Sequence, residues 1–407
     1  MKLTLPEAIL SIRPKRIAVK LKPAAEKQIR KEEHPWIFDE SIQKQNKEGS
    51  AGDLAVVFDK RRDQFLACGL YDPGSPIRIK LLQFFKTAKI DQDWFNQKIQ
   101  NAFEIRKPLL ETDTNAYRLI FGENDGLPSF IADVYDHIVV VKLYSEIWFP
   151  YLTMILPSII KITESSVMVI RLSRNSTAGA NRLGLFDGDV VYGNLENQEV
   201  IIKEHGVQFK VNVIKGHKTG FFLDHRNNRL AIGKMAESKD VLDVFSYAGG
   251  FAVHALVGGA KSVTCLDISK QALELAEGNA KLNSPERKLT GICGDAFEVL
   301  SNMILEKKKF DIVIIDPPAF AKRATEIERA KEAYSKLAKL GSQLVSPKGT
   351  LVLASCSSRV TADIFFELNE KALKETSLIL KKKTFHDIDH PISFKEGAYL
   401  KAGYYST

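Results

Sequence analysis

Cysteine is scarce in this 407-residue sequence: Cys68, Cys265, Cys293 and Cys356 lie far apart and form no CxxC pair. So sparse a set argues against a disulfide framework or a cysteine-based zinc site and fits a reducing cytoplasm. Long apolar runs are also missing. The most apolar stretch, Ile138 to Ile160, is interrupted by Lys142, Glu146, Pro150 and Pro157, short of the roughly 20 residues of a membrane-spanning helix. Glu7, Arg13, Lys15 and Arg16 break up any apolar segment of a signal peptide, so no membrane association is expected. There is no internal repeat and no low-complexity segment. What is present is enough apolar residue, 44%, for sizeable cores, and a length that calls for two or three domains.

The net charge of +8 is unevenly placed. Residues 1–90 hold 18 Lys/Arg against 11 Asp/Glu, a net of +7, which leaves only +1 for residues 91–407. An excess confined to one end points to a polyanionic partner, the alternative being a solvated basic face. In the same segment short strands are expected at Arg16–Leu21, Asp53–Phe58, Phe65–Tyr71 and Ile77–Leu82. They are separated by the charged turn Asp59-Lys60-Arg61-Arg62-Asp63 and by Asp72-Pro73-Gly74-Ser75-Pro76, a pattern of a small barrel. From Asp91 the period becomes helical, and residues 91–205 mix helix and strand as a central α+β domain, with Ser173 to Gly188 read as a loop. Residues 206–407 alternate strand and helix as a doubly wound sheet. Its strands are expected at Val241–Phe245, Ser262–Leu266, Thr290–Cys293, Phe310–Ile315 and Gly349–Ala354.

The first of these strands runs into a glycine-rich turn, Asp243 through Ser246 to Gly249, Gly250 and Phe251, which opens a helix. Ligands of open α/β sheets sit beyond such carboxyl ends. The G-x-G-x-x-G spacing that lets backbone approach a pyrophosphate is absent, which counts against a dehydrogenase. S-adenosylmethionine needs only the close approach that Gly249 and Gly250 permit. Asp267, 18 residues after Gly249 at the next strand end, is placed to accept from ribose hydroxyls, and Asp295 from the adenine amine. Either aspartate also suits a helix cap.

The fourth strand ends in Asp316-Pro317-Pro318-Ala319-Phe320. The prolines stiffen the backbone and remove donors, so Asp316 is held where it meets a base edge, with Phe320 available for stacking. The fifth ends in Ser355-Cys356-Ser357-Ser358-Arg359. Cys356 is the candidate nucleophile, because C5 of cytosine attacks a methyl group only after a thiolate has added at C6. Arg359 is a candidate for lowering the thiol pKa. Cys265 and Cys293 are expected inside apolar strands, and Cys68 in the first domain, as inert small hydrophobes.

These motifs resemble the RlmI-type ribosomal RNA large-subunit methyltransferases. The resemblance runs along almost the whole chain, through His34-Pro35-Trp36-Ile37-Phe38, Gly69-Leu70-Tyr71, Tyr117-Arg118-Leu119-Ile120, Gly122 to Pro128, Lys218 to Arg226, and the three strand-end motifs above. It implies an N-terminal PUA-like β-barrel, a central α+β domain and a C-terminal Rossmann-like methyltransferase sheet. It also implies S-adenosyl-L-methionine as cofactor, 5-methylcytosine in 23S ribosomal RNA as product, and cofactor contacts from Lys218, Phe221, Asp224 and Arg226. Taken as structure alone, that last segment reads as a hairpin leading into a capped helix. Large-subunit ribosomal RNA is the partner expected, with homodimerisation left open. Glu33 stands where the family's PUA motif usually has glycine. Ala319 stands where the wider group of RNA cytosine-C5 enzymes has a second cysteine, an absence shared by the RlmI type. Relatives with the same Asp-Pro-Pro motif methylate guanine N7 without a thiol, and that reading and a non-catalytic RNA-binding scaffold are the alternatives.

Overall fold

The computed structural model describes residues 2–60, 63–284, 286, 289–321 and 323–407. Arg61 and Arg62 of the charged turn lie outside the described residues. Two compact units emerge, the first of Met1–Ile202, Val211–Leu223 and Ile388–Gly397, the second of Lys203–Lys210, Asp224–Asp387 and Ala398–Thr407.

In the first unit, strands β1 (Arg16–Leu21), β2 (Trp36–Phe38), β3 (Ile42–Gln45), β4 (Leu54–Phe58), β5 (Phe65–Tyr71) and β6 (Ile77–Phe84) form one sheet in the order β2-β6-β5-β4-β1-β3. The period of two predicted for β1 is present: Ile17, Val19 and Leu21 are buried and join Ile37, Val57, Leu66 and Leu81 in the core. At Gly69 a Cβ would lie 2.2 Å from the Lys80 carbonyl oxygen, so only glycine lets β5 and β6 approach. The helix Pro23–Glu32 ends on Glu33 in the left-handed region, φ 47°. Glycine takes that conformation at least cost, which explains the residue usual in the related motif.

A second sheet of this unit contains β7 (Ala116–Phe121), β8 (Phe130–Tyr135), β9 (Ile138–Leu143), β10 (Val167–Leu172) and β11 (Val190–Tyr192), in the order β11-β10-β9-β8-β7. Helices Gln92–Arg106 and Leu152–Thr163 pack with it around Phe95, Phe130 and the fully buried Trp148. The expected loop at Ser173 to Gly188 is instead a helix over Arg174–Arg182. Its buried face is Ser176, Gly179 and Ala180, at i, i+3 and i+4, so the helical stripe is made of small residues that hydrophobicity does not register. Ser176 Oγ also accepts from Ser173 N, 3.0 Å, at the helix start.

Strands β12 (Glu199–Glu204) and β13 (Val207–Asn212) pair as a hairpin. The hairpin expected within Lys218 to Arg226 therefore lies earlier in the chain, and that segment is turns leading to the helix Arg226–Met235, whose N-cap His225 makes no side-chain cap bond. The reason is in the residues: Gly216 and Gly220 break the strand period, and no hydroxyl or carboxamide stands at the cap.

The second unit is built on β14 (Asp240–Val244), β15 (Ser262–Asp267), β16 (Leu289–Cys293), β17 (Phe310–Ile315), β18 (Val345–Ser355), β19 (Ile379–Thr384) and β20 (Lys401–Ser406), in the order β16-β15-β14-β17-β18-β20-β19. The first five are parallel and β20 is antiparallel to β18 and β19. Order reverses between β14 and β17, the switch point that opens a crevice at the carboxyl ends. Leu242, Val244, Leu266, Val313, Ile315, Leu351 and Leu353 fill one core. The strands are near-continuous apolar runs because helices cover a parallel sheet.

In the same unit Glu204 is fully buried and accepts from Arg229 Nε at 2.7 Å and Nη2 at 2.6 Å, with His254 Nε2 3.0 Å away. Burial pushes the carboxyl pKa up, but the Arg229 guanidinium outweighs it and holds Glu204 well below the usual carboxylate range. Glu204→Gln leaves that guanidinium buried without its counter-charge. Denaturant unfolding should show a loss of about 3–5 kcal/mol, the cost of breaking a buried pair from one side; an unchanged midpoint would rule out this role.

Candidate active site

Beyond β14 the chain leaves the sheet and enters the helix Gly250–Val257 within five residues. To do so Phe245, Tyr247 and Gly249 take φ values of 64°, 47° and 75°. Glycine does this freely, while the two aromatic residues each store about 1–3 kcal/mol of strain. Neighbouring strand ends hold the turn: Phe245 N donates to Leu266 O at 2.8 Å, and Tyr247 N to Asp267 Oδ2 at 2.9 Å. A Cβ at Gly249 would stand 2.8 Å from that of Ala276.

Among the described residues two polar atoms in this turn are buried without a hydrogen-bond partner within ordinary distance, Asp243 Oδ1 and Ser246 Oγ, the latter beside the Cys265 thiol. Asp243 Oδ2 accepts from Ala252 N at 3.1 Å. Burial is the main cause that lifts the Asp243 pKa to about 7; the Ala252 N–H opposes it, and the nearby Asp316 and Asp267 carboxylates add to it. Asp267 ends β15 and uses Oδ2 for Tyr247 N and Oδ1 for Ser269 N, 2.9 Å each. Asp295 is the N-cap of the helix Ala296–Leu305, its Oδ1 accepting from Phe297 N and Glu298 N.

Asp316 is half-buried just past β17, and its Oδ2 lies 3.4 Å from His225 Nε2. Asn228 Nδ2, which can only donate, is 3.0 Å from His225 Nδ1, so the ring carries its proton on Nε2, toward Asp316. Pro317 is buried, Pro318 is exposed, and Phe320 meets Tyr334 edge-on with centroids 5.1 Å apart. Cys356 is half-buried at the end of β18, with Sγ 4.0 Å from the Pro317 carbonyl. Its neighbours Ser355 and Ser357 are buried and Arg359 is exposed. The ends of β17 and β18 thus bring Cys356 and the Asp316-Pro317-Pro318 segment together.

The other cysteines differ from it. Cys68 and Cys265 are buried, and burial pushes both thiols up, Cys68 to about 11. Cys293 corrects the expectation of a buried strand position: it is exposed, because β16 is the edge strand of its sheet, and its Sγ donates to Ile268 O at 3.4 Å.

The Lys218–Arg226 segment divides between the units. In the first, Lys218 Nζ lies 4.7 Å from the centre of the Phe222 ring, and buried Phe221 exchanges hydrogen bonds with the Tyr135 hydroxyl through both its N–H and its carbonyl. In the second, Asp224 Oδ2 accepts from Tyr399 Oη at 2.8 Å, and the fully buried Arg226 pairs with Asp387 at 3.1 Å. His225, Asn228 and Tyr399 escaped sequence reasoning. His225 alone carried a signal, since it lies inside a segment that carries the resemblance.

Comparison with known proteins gives this geometry a context. Residues 187–402 match the family described as S-adenosylmethionine-dependent methyltransferase, and residues 19–84 the PUA-like domain. The "Ribosomal RNA large subunit methyltransferase" of Deinococcus radiodurans is 41% identical over 95% of this chain and 96% of its own length. The "Ribosomal RNA large subunit methyltransferase I" of Alteromonas mediterranea is 36% identical over 94% and 96%, and that of Escherichia coli (strain SMS-3-5 / SECEC) 33% over 90% and 94%. A solved Streptococcus mutans structure assigned as a SAM-dependent methyltransferase shares the fold, with a TM-score of 0.81 at 20% identity over 96% of this chain and all of that one. The chain is therefore a member of the S-adenosylmethionine-dependent methyltransferase family, of the ribosomal RNA large subunit methyltransferase I (RlmI) type.

Proposed function

We propose that the chain methylates C5 of a cytosine in 23S ribosomal RNA through a covalent adduct between Cys356 and C6. The observation that carries this reading is the half-buried Cys356 thiol 4.0 Å from the Pro317 carbonyl, beside Asp316 at adjacent strand ends. Guanine N7 chemistry has no use for a thiol there. As the base enters, the Cys356 thiolate adds at C6 and electron density moves to N3, which takes a proton from water and then donates a hydrogen bond to the Asp316 carboxylate. Pro317, Pro318 and Phe320 shape the base pocket. The bound cofactor supplies an electrophilic methyl group to C5, after which loss of the C5 and N3 protons expels the thiolate. The net result is one 5-methylcytosine, one S-adenosylhomocysteine and one proton.

The residues present suit that cofactor. The orphaned Asp243 Oδ1 and Ser246 Oγ offer an acceptor and a hydroxyl to the amino-acid portion of S-adenosylmethionine. Asp267, already oriented by two N–H groups, keeps lone pairs for ribose hydroxyls, and Asp295 for the adenine amine. Gly249 and Gly250 admit the ligand to the backbone. Asp224 and Arg226 hold the entry to the helix that carries Arg229 and Asn228. The proposal divides the chain into an RNA-binding domain (1–90), a central domain (91–205) and a catalytic domain (206–407), acting in the cytoplasm. The +7 charge of the first favours ribosomal RNA through counterion release.

Two outcomes test it. Since Asp243 titrates near 7 and an ammonium group prefers its ionised form, S-adenosylhomocysteine should bind more weakly as pH falls below about 7, with proton release seen by calorimetry. Asp243→Asn should remove that pH dependence and weaken binding roughly 10- to 100-fold, the worth of a charged hydrogen bond; a pH-independent wild type would contradict the assignment. Second, Cys356→Ala should abolish methyl transfer to 23S RNA while S-adenosylhomocysteine still binds. RNA with 5-fluorocytidine at the target should trap the wild type covalently, because the carbon that has gained the methyl has no proton to lose. Methyl transfer that persists in Cys356→Ala would favour guanine N7 instead, and binding of RNA without transfer by the wild type would favour the scaffold.

A further inference from the structure

Lys401 opens β20 and stands directly opposite Ser355, the residue before Cys356. It is 1% exposed. Its ammonium donates to three backbone carbonyls, those of Ser357, Val360 at 2.5 Å and Tyr399 at 3.0 Å. All three hydrogens are therefore spent on neutral oxygens, two of them in the short loop that Cys356 begins. Among the described residues no carboxylate lies within ion-pair distance of Lys401 Nζ. Buried cations are ordinarily paired, since an isolated one costs several kcal/mol. Carbonyl oxygens orient this one without neutralising it.

Among the described residues, the groups around Cys356 show what this charge can do. From the end of β17 comes Asp316, whose negative charge opposes a thiolate. From the helix Ile327–Leu344 comes Tyr334, whose hydroxyl accepts from Ser355 Oγ at 2.9 Å. Burial, the largest cause, lifts Tyr334 to about 12, so it stays neutral. Arg359, the cation nearest in sequence, is exposed. From β20 comes Lys401. Burial pulls the Lys401 pKa down to about 8, against the electrostatic influence of Cys356, which draws it up.

We infer that Lys401 is the buried counter-charge that holds Cys356 as a thiolate beside Asp316, and that it fixes the nucleophile's loop through the same ammonium. It is a positioning residue, acting on the thiol and not on the base. The thiol proton leaves to solvent and Lys401 keeps all of its own. The sulfur's charge is consumed as the S–C6 bond forms and reappears facing Lys401 when that bond breaks, so both addition and expulsion gain. The inference rests on the reading of Cys356 as nucleophile.

The test is the pH dependence of iodoacetamide alkylation of Cys356 in the full-length protein, followed by peptide mass. Exposed Cys293 in the same digest is an internal control. In Lys401→Met the Cys356 profile should move up by at least one pH unit, so that alkylation on the acid limb of the profile slows about tenfold. Cys293 should be unaffected and S-adenosylhomocysteine should still bind. Lys401→Arg, which keeps the charge, should fall between the two. If Lys401→Met does not fold, Lys401→Gln, which keeps two donors and loses the charge, carries the same expectation. An unshifted Cys356 profile in a folded, uncharged variant would reduce Lys401 to a structural tie. Such a result is separate from the cytosine reading, which fails only if Cys356→Ala retains methyl transfer.

Discussion

Parallel pairing is the constraint on which the candidate site depends. Strands β14 to β18 run the same way, so their carboxyl ends share one edge of the sheet, and the reversal of order between β14 and β17 opens that edge to a ligand. Asp243, Asp267, Asp295, Asp316 and Cys356 are spread over more than 100 residues of sequence. They lie within, at the end of, or just beyond successive strands and need nothing else to be brought to the same side. Strands β20 and β19 extend the sheet on one flank, and β20, antiparallel to both of its neighbours, delivers Lys401 from the opposite direction. Chemistry that calls for a cation beside a thiol and a carboxylate is thereby assembled from strands of both senses.

A single edge crowded with aspartates has an electrostatic consequence. Burial first, and then the nearby Asp316 and Asp267 carboxylates, keep Asp243 from ionising readily. Yet the same three carboxylates make the crevice receptive to the positive charge of a sulfonium cofactor. At Glu204 the balance is struck differently, with the carboxylate satisfied by Arg229 and His254. That difference separates a structural charge cluster, closed on itself, from a functional one that keeps an atom open.

Much of this could be read in the residues. Strand ends declared themselves because a buried parallel strand is an uninterrupted apolar run that stops at an aspartate or a glycine, as at Asp267 and Asp316. Cys356 was singled out by its polar neighbours, although Ser355 and Ser357 are more buried than the thiol itself. What escaped was whatever depended on pairing across the chain. Lys401 looks like an ordinary charged residue in a polar tail until it is placed opposite Ser355. The helix at Arg174–Arg182 was invisible because its packing face is serine, glycine and alanine. Cys293 misled because an apolar strand says nothing about whether it lies at the middle or the edge of a sheet.

β20 bears on how the chain is made as well as on how it works. It is inserted between β18 and β19, although both precede it in sequence. During synthesis β18 therefore keeps one side of its apolar backbone ladder bare until residues 401–406 have emerged. An unpaired apolar edge is a template for unwanted association. The strand that completes the nucleophile's surroundings is the same one that seals this edge, so a nascent chain reaches chemical competence and safety from aggregation in a single step.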